Sequence, residues 1–151
     1  MDSLTLVVLS PPNDPELAML KRLPPETRIL IGDSPEAFDS QASGADAILA
    51  WATRREIAER VWPKTPHVRW VHSASAGLEN LLFPALIESS VVVTNSRGTF
   101  SWSLGEYVLA AILHFAKNVR RLMRSQAAGV WDVFDVEAVR GRTLGIVGYG
   151  D

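Results

Sequence analysis

A chain of 151 residues with 47% hydrophobic and 21% charged side chains has the make-up of one globular domain and the start of another, outside the disordered and membrane-spanning classes. Its net charge of -2 offers no footing to nucleic acid or an anionic membrane, so neither is expected as a partner. With no cysteine there is no disulfide, thiolate nucleophile or Cys-bound metal, and His67, His72 and His114 are scattered without metal-ligand spacing.

The N-terminus runs straight from Met1-Asp2-Ser3 into the apolar stretch Leu4 to Leu9. No signal or transit peptide is expected there, which makes the cytoplasm the default location. Leu4 to Leu9 reads as a strand closed by Ser10-Pro11-Pro12, because proline cannot donate to a sheet ladder. Asp14 then caps a short helix to Leu23, with Pro15 in its first turn. Arg28 to Ile31 is a second strand, and Ser34-Pro35 opens a second helix. Asp46 to Trp51 is a third strand, followed by a helix from Arg54 to Trp62 that Pro63 and Pro66 stop. Val68 to Ser73 is a fourth strand, Leu78 to Ser89 a helix, and Val91 to Asn95 a fifth strand.

These strands are apolar runs more than strict alternations, as expected where helices cover both faces of a parallel sheet. The expected fold class is therefore α/β, a flavodoxin-like doubly wound sheet of about five strands over residues 1–98.

After the turn-rich Ser96-Arg97-Gly98-Thr99 the pattern changes. Leu104, Val108, Ala111, Ile112, Phe115, Val119 and Leu122 recur at helical spacing and predict one long helix over 101–127, about 40 Å in length. Ser103 with Glu106 has capping-box spacing, and Ser101 is an equally good cap. Gly129 ends the helix, and Trp131 to Arg140 is an irregular or helical link. Residues 143–148 read as an apolar strand running into Gly148-Tyr149-Gly150. Gly-x-Gly after a strand is half of the dinucleotide fingerprint, in which glycines permit a tight turn and close approach of a pyrophosphate. The third glycine would fall at about position 153, and the acidic ribose ligand about 20 residues further on.

Gly141-Arg142-Thr143-Leu144-Gly145-Ile146-Val147-Gly148-Tyr149-Gly150 resembles the segment that opens the cofactor domain of the D-isomer-specific 2-hydroxyacid dehydrogenases. Ser75-Ala76-Gly77-Leu78-Glu79 is similar to that family's Ser-x-Gly-x-Asp stretch, with Glu for Asp, and Val93 to Gly98 is similar to its hinge, with Arg97 where proline is commoner. Ser103-Leu104-Gly105-Glu106 resembles the start of its long helix, and Gly129-Val130-Trp131 the Gly-x-Trp that follows. These landmarks keep their order from about residue 66 onward, whereas the first 65 residues agree in pattern only.

The resemblance implies a substrate-binding domain over 1–98 and the start of a Rossmann domain for NAD or NADP over 99–151. It implies hydride exchange with a small 2-hydroxy or 2-keto acid of the glyoxylate or hydroxypyruvate type. The family's catalytic Arg, Glu and His would fall beyond Asp151, so no catalytic residue is assigned within this chain, and the chain alone is expected to be inactive. Ser75, Ala76 and Gly77 would hold the substrate carboxylate through their amides, supported by the helix expected to start at Leu78. Trp51 and Ala52, in the loop after the third strand, would face the same cleft, with a core role for Trp51 equally open. Leu104, Gly148, Tyr149, Gly150 and Asp151 would lie on the cofactor side, and Glu106 fits a cap or structural carboxylate better than an acid. The helix 101–127 and Trp131 would form a homodimer interface, with packing inside the chain as the alternative. Two other readings remain: a non-enzymatic, corepressor-like binding module on the same scaffold, and a stand-alone flavodoxin-like domain with a tail.

Overall fold

The computed structural model describes residues 4–150. The chain divides into two compact units, one ending at Arg97 and one beginning at Gly98.

The first unit is a five-stranded, wholly parallel sheet: β1 (Thr5–Leu9), β2 (Arg28–Gly32), β3 (Ala47–Ala50), β4 (Trp70–Ser73) and β5 (Val92–Asn95) in the order β2-β1-β3-β4-β5. This is the flavodoxin-like order, with the switch of winding direction between β1 and β3. Every strand expected from the apolar runs of this unit is present, within a residue or two of its expected ends.

The pleat sorts side chains between two cores. Val7, Leu9, Ile48, Ala50 and Val71 point to the larger one, where they meet Phe38, Val61, Leu81 and Phe83. Leu6, Val8 and Ala47 point the other way, onto Leu20 with Leu17, Leu23 and Trp51. That second layer stops partway across the sheet. Along one register row Leu6 and Ala47 are buried, whereas Trp70 and Val92 are 42% and 60% exposed.

The connections differ from expectation in instructive ways. Pro15–Arg22 is a 3-10 helix rather than an α-helix, although Asp14 caps it as expected by accepting from the Glu16 amide. Pro35–Phe38 is also 3-10, and the Ser34 side chain does not cap it. Helix α1 (Arg55–Val61) is flanked by 3-10 turns at Ala52–Arg54 and Trp62–Lys64, so Pro63 sits inside the last turn rather than ending the helix before it.

The helix expected over 78–89 is absent as such. Leu78 starts a single turn, and a helix proper, α2, forms only over Pro84–Ile87. Pro84 is the reason: it forces Phe83 into an extended conformation (φ -123°, ψ 159°) that no continuous helix could contain.

In the second unit the single helix expected over 101–127 is two helices, α3 (Ser101–Ala116) and α4 (Val119–Ala127). Asn118 breaks it with φ +48°, a left-handed position that Asn tolerates better than most residues. The first piece is accordingly about 24 Å long. Neither Ser101 nor Ser103 caps α3; Phe100 occupies the cap position without a side-chain bond. Residues 132–139 are irregular. The strand expected over 143–148 does not form. A parallel strand takes all its ladder partners from neighbours, and among the described residues this segment has none; Val147 is fully exposed. Among the described residues no helix is long and apolar enough to cross a membrane.

Candidate functional site

Open parallel sheets bind ligands outside the carboxyl ends of their strands, at the switch of winding direction. In the first unit that edge is stitched together by side chains from four strand ends. After β1, the buried Ser10 hydroxyl donates to Asp14 Oδ2 at 2.8 Å. After β3, Trp51 Nε1–H donates to Glu16 Oε2 at 3.2 Å, and the Ala52 amide donates to Ser75 Oγ at 3.1 Å. After β4, the Ser75 amide donates to Ser73 Oγ at 3.2 Å. After β5, the Ser96 amide donates to the Ser75 carbonyl at 3.2 Å, the Ser96 hydroxyl to the Ser73 carbonyl at 3.1 Å, and the Asn95 side-chain amide to the Ala76 carbonyl.

This web fixes the course of the loop Ser75-Ala76-Gly77 and decides which of its groups are free. The Ser75 amide is consumed by Ser73. In this arrangement Ser75 acts as a brace for the neighbouring loops. Ala76 and Gly77 are exposed, and their amide N–H groups meet no acceptor among the described residues. The supporting argument from a helix dipole is corrected, because no helix begins at Leu78. What remains is two adjacent amides held by side-chain bonds. At Gly77 a Cβ would stand 2.6 Å from Glu79 Oε1, the far end of an exposed side chain.

Trp51 is half-buried; it packs against the smaller core and hydrogen-bonds to Glu16 at the edge. Glu16, Ser73, Asn95 and Ser96 complete the edge. Sequence reasoning passed over them, although Ser73, Asn95 and Ser96 lie at expected strand ends; Glu16 lies in the helical segment after the first strand.

Asp14 is held below the ordinary carboxylate range, first by the Glu16 amide and then by the Ser10 hydroxyl. His72 is engaged with its neighbours, Nδ1 lying 2.8 Å from Thr94 Oγ1. Among the described residues no three His, Asp or Glu side chains are grouped to hold a metal.

The other expected site residues lie in the second unit. Leu104 is 58% exposed in the first turn of α3. Gly148 has φ +82°, which only glycine adopts readily, so it fits the first turn of a dinucleotide loop. Tyr149 is exposed, and nothing packs near Gly148 or Gly150. Among the described residues they do not enclose a ligand. Asp151 lies outside the described residues. The same unit has an apolar groove of about 700 Å³ between α4 and the segment after it, lined by Leu122, Met123, Val130, Trp131, Val133 and Val136.

The first unit is thus a flavodoxin-like α/β domain with a braced amide loop at the carboxyl edge of its sheet. No family model matches the chain. Glyoxylate/hydroxypyruvate reductase B of Enterobacter sp. (strain 638) is 26% identical over 140 residues, which is 89% of this chain and 40% of that protein. A D-isomer specific 2-hydroxyacid dehydrogenase family protein from Aeromonas salmonicida superposes with a TM-score of 0.72 at 25% identity, over 93% of this chain and 44% of that one. The D-lactate dehydrogenase of Aquifex aeolicus, solved in complex with NAD and lactic acid, shares the fold with a TM-score of 0.61 at 18% identity, over 87% of this chain and 39% of that one. The relatives and structural neighbours of the chain are D-isomer-specific 2-hydroxyacid dehydrogenases, and it covers less than half of each of these three.

Proposed function

We propose that this chain supplies the substrate-binding domain, and the entrance to the cofactor domain, of a cytoplasmic NAD(P)-dependent oxidoreductase acting on small 2-hydroxy and 2-keto acids of the glyoxylate or hydroxypyruvate type. The observation that carries this is the loop at Ala76 and Gly77. Its two amides are open at the carboxyl edge, while Ser73, Ser75, Asn95 and Ser96 brace the loop and its neighbours. Paired backbone amides of this kind suit a carboxylate, which accepts two N–H bonds at once. Trp51 and Ala52 form the adjoining wall.

A nicotinamide bound beyond the Gly148-Tyr149-Gly150 turn would exchange hydride with the substrate; Leu104 and Asp151 are assigned to that side on family likeness. No residue of this chain is assigned to proton transfer. In the 151-residue chain alone, NADH with glyoxylate should give no turnover, and NADH oxidation by that chain would overturn the assignment. The direct test is a titration of the ¹⁵N-labelled chain with glyoxylate or hydroxypyruvate. The Ala76 and Gly77 amide resonances should move as ligand is added; resonances that stay fixed at tens of millimolar ligand would refute the carboxylate clamp.

The second unit is assigned to self-association. No residue of α3 or α4 is buried, and Trp102, Phe115 and Trp131 are 86%, 81% and 93% exposed. Large exposed apolar side chains in this number suit an interface. A second copy covers α3, α4 and Trp131, and sedimentation equilibrium should return a dimer that Trp131→Ser weakens. A monodisperse monomer would sink the self-association role.

A further inference from the structure

The two open amides of the loop belong to peptides whose carbonyls are both taken. The Ala76 amide shares its peptide with the Ser75 carbonyl, which accepts from the Ser96 amide at 3.2 Å. The Gly77 amide shares its peptide with the Ala76 carbonyl, which accepts from the Asn95 side-chain amide. Both peptides are trans, so each N–H points opposite to its own C=O. Two consecutive residues at the end of β5 thus hold two consecutive carbonyls, and both N–H groups are turned away from that strand end. The two holds differ in kind. Ser96 acts through its backbone, as any residue but proline could. Asn95 acts through its side chain, and on the peptide that needs it more. Glycine at position 77 has both hands of φ open to it, so the 76–77 peptide can flip at little cost unless something outside the loop holds it.

We infer that Asn95 is a positioning residue, which fixes the direction of the Gly77 N–H so that the amides of Ala76 and Gly77 meet a substrate carboxylate together. This rests on the reading of that pair as the carboxylate clamp. Charge enters separately, through Glu79. Its carboxylate lies against Gly77, with its two oxygens 2.6 and 2.7 Å from where a Cβ would stand. Neither loop amide donates to it, so it does not orient them. What it adds is a negative charge beside the clamp, on an exposed side chain that can swing away. Such a screened surface charge weakens the binding of any carboxylate by about two- to five-fold. Misdirecting one of two amides that bind a charged group costs on the order of ten-fold. Orientation by Asn95 and repulsion by Glu79 are therefore separable.

The experiment uses the ¹⁵N-labelled 151-residue chain and its Asn95→Ala variant, each with and without Glu79→Gln. Residual dipolar couplings in a stretched gel report the N–H directions before any ligand is added. Asn95→Ala should change the Gly77 coupling and leave that of Ala76, whose peptide Ser96 still holds. Glyoxylate should then need about ten-fold higher concentration to move the loop amides than in the parent. Glu79→Gln should leave both couplings in place and tighten glyoxylate about two- to five-fold, whether or not Asn95 is present. Should Asn95→Ala not fold, Asn95→Asp keeps the size of the side chain, loses the donor and should move the same coupling. An unchanged Gly77 coupling overturns the positioning role. An Asn95→Ala effect on binding that vanishes on the Glu79→Gln background is an effect of charge and overturns it too. If glyoxylate moves neither amide in the parent, the clamp fails and the role of Asn95 with it. If it moves both in the parent and Asn95→Ala binds it within about two-fold as well, only the role of Asn95 falls.

Discussion

The Ala52 amide donates to the Ser75 hydroxyl at 3.1 Å across 23 residues of sequence, joining the loops that leave two adjacent strands. Both partners are partly buried, so the donor loses most of its access to water if the hydroxyl is removed. Ser75→Ala should cost about 1–2 kcal/mol by urea denaturation, the usual penalty for stranding a partly buried donor. Ser75→Thr keeps the hydroxyl and should recover most of the loss. If the two variants are equally unstable, the bond is not what Ser75 contributes.

Two glycines of the first unit should answer alanine in opposite ways. At Gly32 an added Cβ would lie 2.6 Å from Ala37 Cβ and 2.9 Å from the Phe38 ring, which is buried in the larger core. Gly32→Ala should therefore cost about 1–3 kcal/mol, as overpacking does. At Gly77 the obstacle is the mobile end of the exposed Glu79 side chain, which can swing away. Gly77→Ala should leave the urea midpoint nearly unchanged while weakening the response of the loop amides to glyoxylate. A large loss of stability at Gly77, or none at Gly32, would contradict these placements.

The sheet was legible because its strands are short apolar runs: the Leu4 to Leu9 run is buried on both faces along β1, and Val91 to Asn95 keeps the same composition although one face of β5 is exposed. The helices were less so. Phe83-Pro84 announces a break in the expected 78–89 helix, but Leu81, Leu82 and Leu86 mimic helical spacing strongly enough to hide it. Asn118 carries no such warning, since nothing local distinguishes an Asn inside a helix from one in the left-handed conformation. The segment 143–148 has strand composition, yet a strand is a property of its neighbours. At the site, Ser75, Ala76, Gly77 and Trp51 stood out by family likeness and position. Glu16, Ser73, Asn95 and Ser96 did not, because their significance lies in which strand ends the topology brings together.

Asn118 makes its own prediction. Since the break between α3 and α4 depends on φ +48° at this residue, Asn118→Gly should preserve the helical content measured by circular dichroism. Asn118→Val, whose branched side chain resists the left-handed region, should cost about 1–2 kcal/mol or fuse the two helices into one. Unchanged stability and an unchanged break in the valine variant would show that the conformation is imposed from elsewhere.

The last prediction concerns pH. Arg121 on α4 grips Asp132 with two bonds, Nε to Oδ2 at 2.6 Å and Nη2 to Oδ1 at 2.8 Å, while Ser125 Oγ donates to the same carboxylate and the guanidinium lies 4.2 Å over the Phe134 ring. The Arg121 bonds foremost, with Ser125 adding to them, hold the Asp132 carboxyl below the ordinary aspartate range, and Asp132 in turn raises Arg121, which stays charged throughout. A depressed folded-state value means that the unfolded chain takes up the proton first. The pair therefore stabilises the second unit fully above the ordinary aspartate value near pH 4, and loses that contribution as pH falls through the lower folded value. The ¹³C carboxyl resonance of Asp132 should titrate below the ordinary midpoint. In Arg121→Gln the midpoint should rise toward the ordinary range, and the acid-induced loosening of residues 119–134 seen by amide exchange should flatten. An ordinary midpoint in the unmodified chain would show that the pair does not persist in solution, and the course of the chain from Gly129 to Phe134 would then need another anchor.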